Sequence, residues 1–224
     1  MSFDRPLTVN DPAFWETLYA RGDDGWELGR PAPPLEEYLR RHRPLKGNVG
    51  VLGCGRGHDA RLLTRLGYGV WGFDFADRAI GEAQSLAKQE GLEITFEQRD
   101  IFDLATEYQG FFDGVWEYTC FCAIDPSRRS EYVRLVRTIL KPEGWLLACF
   151  YPLREGTDGP PFPATEPEIR RLFTPDFTLL ETYVPTASVE RRAALEWMVM
   201  ARAHPRLRRG DPASGAHSDC SASP

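Results

Sequence analysis

The pattern of apolar and polar positions changes character at Asn48. Before it the chain reads as helix: DPAFWETLYARG starts with Asp11 as N-cap and Pro12 at the first helical position, and it places Trp15 and Tyr19 on one face. A proline-rich bend, RPAPPLEEYLRRH, opens a second helix at about Pro34. From Asn48 onward, short β-branched runs alternate with helical periodicity, predicting strands near 48–53, 69–74 and 93–98 and helices near 58–66 and 76–90. FDGVWEYTCFCAID is a fourth, unusually aromatic strand that runs into a helix after Asp125 and Pro126, with Asp125 as N-cap. GWLLACFYPL is a fifth strand after LKPEG, read as a helix stop, and FTLLETYV and ALEWMVMARA form a terminal antiparallel pair. This alternation predicts an α/β fold: a doubly wound, mostly parallel seven-stranded sheet of Rossmann-like type. REGTDGPPFPATEPEIRRLF, between the fifth and sixth strands, reads as a long functional loop. Residues 1–204 are expected to form one domain, and 205–224, almost without apolar residues, a disordered tail.

The stretch Asn48 to Asp59, NVGVLGCGRGHD, is the pivot of the pattern. Gly53, Gly55 and Gly57 alternate with Cys54 and Arg56 where strand must become helix, and only glycine turns that sharply with a ligand against it. The following helix points unpaired N–H groups at that ligand. In a dinucleotide fingerprint the third glycine stands three places after the second, where this chain has His58. G-x-G-x-G is instead the pattern of S-adenosylmethionine-dependent methyltransferases. Asp74 closes the second strand nineteen positions after Gly55, where an acid accepts hydrogen bonds from ribose hydroxyls. Asp100 and Ile101 fall just outside the third strand, where Asp100 suits an adenine amine and Ile101 and Phe102 suit its ring. Tyr118, Phe121 and Cys122 are placed past the fourth strand, above the ligand. Each residue has a plainer reading too: a tight turn with a solvated Asp74, an Asp100 that merely starts a loop, and Trp15, Tyr19 and Trp26 as caps on the core rather than a lid over a sulfonium.

Composition narrows the function. With 224 residues and a net charge of −6, the chain suits one core and offers no basic field for nucleic acid. No apolar run reaches membrane length and MSFDRPLTVN carries no signal pattern, so a cytoplasmic protein is expected. Five cysteines without a C-x-x-C pair encode neither a disulfide framework nor a metal site, and the C-x-C at 120–122 lacks further ligands. GPPF at 159–162 resembles the N-P-P-Y type tetrad of amino-methylating nucleic-acid enzymes, but it follows the fifth strand instead of the fourth.

Several stretches taken in order, FWETLYARGDDGWELGRPAPPL, LGCGRGHD, RDIFDL, YTCFCAIDPSRR, ILKPEG and PLREGTDGPPF, resemble the thiopurine S-methyltransferase superfamily, and more closely its halide and thiol methyltransferase branch. The resemblance implies a monomer with an N-terminal helical lid, about 11–45, over S-adenosylmethionine. It implies cofactor contacts from Trp15, Tyr19, Trp26, Gly53, Asp74, Asp100, Ile101 and Tyr118, with Cys54 and Gly55 in the same turn. At Tyr19 the family often has tryptophan, and at Cys120 the halide branch usually has phenylalanine, so a wider acceptor pocket is expected here. No catalytic base is evident, Tyr118 being the one candidate for a direct role, and a charged soft acceptor such as a thiolate needs none. The expected function is methyl transfer to a small thiol or thiopurine sulfur, with halide or metalloid anions as further acceptors and no nucleic-acid or membrane partner. The alternative is a nicotinamide-dependent oxidoreductase on the same sheet.

Overall fold

The apolar runs become one twisted sheet. The computed structural model describes residues 5–205. Two helices, α1 (Pro12–Arg21) and α2 (Pro33–Arg41), precede β1 (Asn48–Leu52), α3 (His58–Arg65), β2 (Gly69–Asp74), α4 (Asp77–Gln89) and β3 (Thr95–Gln98). After a 3-10 turn come α5 (Leu104–Glu107), β4 (Phe112–Tyr118), α6 (Arg129–Ile139), β5 (Leu140–Phe150), α7 (Glu166–Phe173), β6 (Phe177–Tyr183) and β7 (Trp197–Ala203). The strand order is β3-β2-β1-β4-β5-β7-β6, with β1 to β5 parallel and β7 antiparallel to both its neighbours. The predicted terminal pair is therefore present, but β7 slots between β5 and β6 and leaves β6 on the edge. The chain reverses direction of travel between β1 and β4, the place where open α/β sheets bind ligands.

Both faces of the sheet are covered. Val49, Val51 and Val70 pack with Leu35 and Tyr38 of α2, Ala60 and Leu63 of α3 and Ile80 and Ala83 of α4. On the other face Leu52, Val115 and Leu146 meet Tyr132 and Val136 of α6 and Ile169 and Phe173 of α7. Strand alternation decides which side chain joins which layer. On β4, Trp116 and Tyr118 go to the first layer while Val115 and Glu117 go to the second, where Tyr132 meets Glu117.

Three local expectations need correction. The segment 154–173 is not loop throughout, because Thr165 accepts the Glu168 N–H at 3.3 Å and starts α7 with Pro167 in its first turn. Asp11 occupies the N-cap position of α1, yet its carboxylate accepts from Arg5 and from Thr8 N–H at 2.8 Å instead of capping. LKPEG does not simply stop a helix: it lies within β5, and the pairing register slips between Phe112 and Gly114 to admit it. Asp125 does cap, accepting from Ser127 N–H at 2.9 Å, but a 3-10 turn (Pro126–Arg128) intervenes before α6. Among the described residues no helix is long and apolar enough to cross a membrane.

Gly57 shows how tightly the central turn is specified. Its φ is +69°, and a Cβ there would stand 2.7 Å from Phe96 Cζ and 3.1 Å from Ala83 Cβ. Gly57→Ala combines backbone strain with a core clash and is expected to destabilise the fold by about 2–4 kcal/mol. A urea midpoint within error of wild type, at unchanged m, would show that the turn tolerates a side chain.

Candidate functional site

At the carboxyl edge of β1 to β5 lies a cavity of about 590 Å³. Its walls come from eight parts of the chain, Arg191 and Arg192 before β7 among them, which explains why no single motif announced its size. Gly53 follows β1, Asp74 and Phe75 close β2, and Asp100, Ile101 and Phe102 follow β3. Thr119, Cys120 and Cys122 follow β4, and Tyr151 follows β5. Pro160 and Pro161 of the GPPF run also reach the cavity. The segment before β1 forms the remaining wall with Phe14, Trp15, Tyr19 and Trp26.

Of the ten residues singled out from the sequence, Trp15, Tyr19, Trp26, Gly53, Asp74, Asp100 and Ile101 line this cavity. Cys54, Gly55 and Tyr118 do not: they border a smaller adjoining hollow of about 60 Å³ beside the start of α3, which shares Trp26, Gly53 and Thr119 with the large one. For Tyr118 the reason is strand parity. It points to the α2–α3 layer, its ring stacked 6.0 Å from Trp116, and its hydroxyl donates to the buried Glu196 at 2.5 Å. Burial also pushes that hydroxyl far above its ordinary pKa, so it stays protonated. Phe121 likewise points into the second layer and not over the ligand site.

Asp74 is 8 % exposed and ties two turns together, accepting from Gly55 N–H at 2.8 Å and Ala76 N–H at 3.0 Å. A carboxylate has about four acceptor positions, so capacity remains on Asp74 for a ligand. Burial raises its pKa, and the N–H groups of Ala76 and Gly55 oppose that rise. Asp100 caps the 3-10 turn by accepting Phe102 N–H at 2.9 Å, and burial lifts it too. Two acids on adjacent strand ends, with Ile101 and Phe102 following the second and the aromatic residues in the same cavity wall, give the cavity both carboxylate and apolar surface.

The aromatic wall forms a small cluster of its own: Trp15 meets Trp26 edge-on at 5.6 Å, and Trp26 meets Tyr19 at 5.4 Å and donates to its hydroxyl at 3.2 Å. That hydroxyl would lie only 3.3 Å from a Cβ on Gly55, so the absence of one lets Tyr19 close against the turn. Three arginines hold the segment down. Arg56, beside Gly55, donates to Asp24 and Glu82 and to Glu27 at 3.1 Å, with its guanidinium 5.3 Å from the Tyr19 ring centre. Arg191 donates to Gly25 O at 2.5 Å and Arg192 to Trp26 O at 2.8 Å. Against the burial that would raise it, hydrogen bonds from His58, Gly29 N–H and Arg56 keep Glu27 at about 2.

Arg192, just before the ALEWMVMARA run, was not singled out from the sequence. It is 2 % exposed, donates to Tyr118 Oη at 2.5 Å and lies over the rings of Tyr118 and Tyr151 at 5.1 and 5.2 Å. Among the described residues its hydrogen bonds go to neutral oxygens. His58, the histidine nearest the glycine turn, is turned away toward Arg61 at 2.8 Å and Glu27 at 3.0 Å. Burial raises both cavity thiols, Cys120 far above its ordinary value and Cys122 to about 12, so they stay protonated and unreactive.

The ties through Arg56 generate a test. Arg56→Ala is expected to raise the rate of tryptic cleavage at Arg21 or Arg30 about 5- to 30-fold, the effect of losing 1–2 kcal/mol of local stability. Arg56→Lys is expected to recover little, because an ammonium cannot span three carboxylates as the guanidinium fork does. Cleavage at the wild-type rate in Arg56→Ala would mean these ion pairs do not hold the segment.

Comparison with known proteins agrees with this geometry. Residues 10–209 match the family model for thiopurine S-methyltransferase. A probable thiol methyltransferase 2 of Arabidopsis thaliana is 28 % identical over 177 residues, covering 77 % of this chain and 76 % of the relative. Thiocyanate methyltransferase 1 of Brassica oleracea is 29 % identical over 159 residues, 70 % of this chain and 69 % of its own length. The structure of 1,6-didemethyltoxoflavin-N1-methyltransferase of Burkholderia thailandensis superposes with a TM-score of 0.72 at 22 % identity, over 90 % of this chain and 93 % of that one. The expected superfamily is thereby established, and with a match running through nearly all of the folded chain, this protein belongs to the thiopurine S-methyltransferase family.

Proposed function

We propose that the protein methylates the sulfur of a small thiol or thiopurine at the expense of S-adenosylmethionine. It is an S-adenosylmethionine-dependent methyltransferase by family, and neither the family nor the relatives support the nicotinamide alternative. The observation that carries the reading is a cavity of about 590 Å³, large enough for a nucleoside cofactor and a small acceptor, whose walls among the described residues hold no histidine and whose own thiols are held neutral. Bound there, S-adenosylmethionine supplies an activated methyl group. Asp74 and Asp100 take the ribose and adenine edges, Ile101 and Phe102 the adenine face, and Trp15, Tyr19 and Trp26 form a lid that excludes water. Gly53, Cys54 and Gly55, with the start of α3, receive the methionine tail in the smaller hollow, where Tyr118 forms part of the wall. Catalysis is then positioning: a thiolate arrives charged, and a dry apolar pocket favours the charge-dispersed transition state over hydrated ions. Arg192 is a buried cation at the cavity, with the buried Glu196 carboxylate reached through the Tyr118 hydroxyl as its anionic neighbour. Halide, thiocyanate and metalloid anions also arrive charged and belong in the acceptor panel. The same reading includes action as a cytosolic monomer, a compartment that suits the free, buried Cys120, Cys122 and Cys149. Light scattering is expected to give a mass near 25.4 kDa.

S-adenosylhomocysteine at a hundredfold excess over its Kd is expected to add about 2.7 kcal/mol of stability. For a chain of this size that raises Tm by about 5–10 °C. Stabilisation by NAD or NADP and not by S-adenosylhomocysteine would overturn the reading. Asp74→Ala is expected to weaken S-adenosylhomocysteine binding about 10- to 150-fold in calorimetry, the loss of hydrogen bonds to a charged group, while kcat at saturation changes less. Unchanged binding would remove Asp74 from the site.

A further inference from the structure

Glu117 is a buried carboxylate that the proposed chemistry does not use. It is 1 % exposed near the end of β4, paired in register with Leu52 of β1 and Ala148 of β5. A carboxyl group in that position carries a desolvation cost unless donors surround it. They do: Oε1 accepts Cys120 N–H at 3.1 Å and Phe121 N–H at 2.8 Å, and Oε2 accepts the Tyr132 hydroxyl of α6. These bonds close the turn after β4 around Thr119, whose φ of +64° is rare for a β-branched residue. The same turn sets the cavity wall. It places Cys120 so close to the central loop that a Cβ on Gly53 would stand 2.9 Å from Cys120 Cβ, it brings Cys122 to the cavity, and Cys122 O accepts Phe162 N–H at 2.7 Å beside Pro160 and Pro161.

We propose that Glu117 is a positioning residue for the methyl acceptor: its carboxylate holds the turn 119–122 in the shape that forms the acceptor wall, so acceptor binding depends on it far more than cofactor binding does. The proposal rests on the methyl-transfer reading for its acceptor, and on the hydrogen bonds above for its mechanism. A pH dependence follows. The titratable groups facing Glu117 are Tyr132 from α6, Cys120 and Cys122 in the turn, and Cys149 from β5. Burial keeps each of them neutral, and burial also lifts Glu117 itself to about 7. Protonation removes acceptor capacity from the oxygens that hold the turn, so the wall is tightest when the group is ionised.

The test uses Glu117→Gln, which keeps the shape but not the titration, and Glu117→Ala, which removes the acceptor of the turn N–H groups. For a thiol that the wild type turns over, the ratio of wild-type to Gln-variant kcat/KM cancels the ionisation of the thiol itself. That ratio is expected to rise several-fold between pH 6 and pH 8, as the carboxyl ionises around pH 7, and a flat ratio overturns the pH claim. The folded-state pKa of about 7 lies above the unfolded value near 4.5, so the native state binds the extra proton between them. The wild type is therefore expected to lose Tm relative to the Gln variant as pH rises from 5 to 8. In Glu117→Ala the acceptor KM is expected to rise about tenfold while the Kd of S-adenosylhomocysteine stays within about twofold. Equal losses in both, or in neither, overturn the positioning role. Maleimide labelling read on the tryptic peptide carrying Cys120 and Cys122 separates the two hypotheses. It is expected to be at least about tenfold faster in the Ala variant whatever acceptor is used, as a shift in local opening predicts. Unchanged labelling sinks the Glu117 proposal, whereas a wild type that binds S-adenosylhomocysteine but methylates no thiol sinks the acceptor reading alone.

Discussion

Buried carboxylates that must find donors shape the carboxyl edge of this sheet. Asp74 and Glu117 are withdrawn from water and Asp59 is half-buried; burial raises the pKa of each, and each is satisfied by N–H or O–H groups instead of a cation. Asp59, on α3, accepts Ala32 N–H at 2.7 Å and Trp116 Nε1 at 2.7 Å, tying the start of α2 to β4. Asp74 ties the glycine turn to the start of α4, and Glu117 closes the turn after β4. Because an unsatisfied buried acceptor is costly, each acid dictates the conformation of a loop that would otherwise have many. The cavity is the space left between loops fixed in this way.

The glycine turn is where these constraints meet. Gly53 admits Cys120, Gly55 admits the hydroxyl of Tyr19, and Gly57 admits Phe96. Each omitted side chain lets one layer of the site approach: the acceptor wall, the aromatic segment and the sheet. Arg56, between two of those glycines, then reaches outward to Asp24, Glu27 and Glu82. One short loop thereby joins the cavity floor, the aromatic wall and the sheet. That wall is also fastened from the far end of the sheet, where Arg191 and Arg192 precede β7 and hold the carbonyls of Gly25 and Trp26. The aromatic segment is thus tied both to the central glycine loop and to the turn before β7.

The sequence by itself determined the layers and one half of the site. Strand and helix periods placed β1, α3, β2 and α4 within a few residues, and the glycine spacing with Asp74, Asp100 and Ile101 picked out residues that line one side of the cavity, because those features are local and tied to strand ends. An overlooked local signal, Thr165 three places before Glu168, marked α7 within what reads as loop. Tertiary structure alone decided the rest. Tyr118 left the large cavity because one step along β4 reverses a side chain, and its rank on the strand could not be known without the register. Arg192 entered it because β7 inserts between β5 and β6 and carries the preceding turn across to the aromatic segment, some 166 residues away in sequence. Contacts at that separation depend on which elements share an edge, and no pattern within either segment encodes that choice.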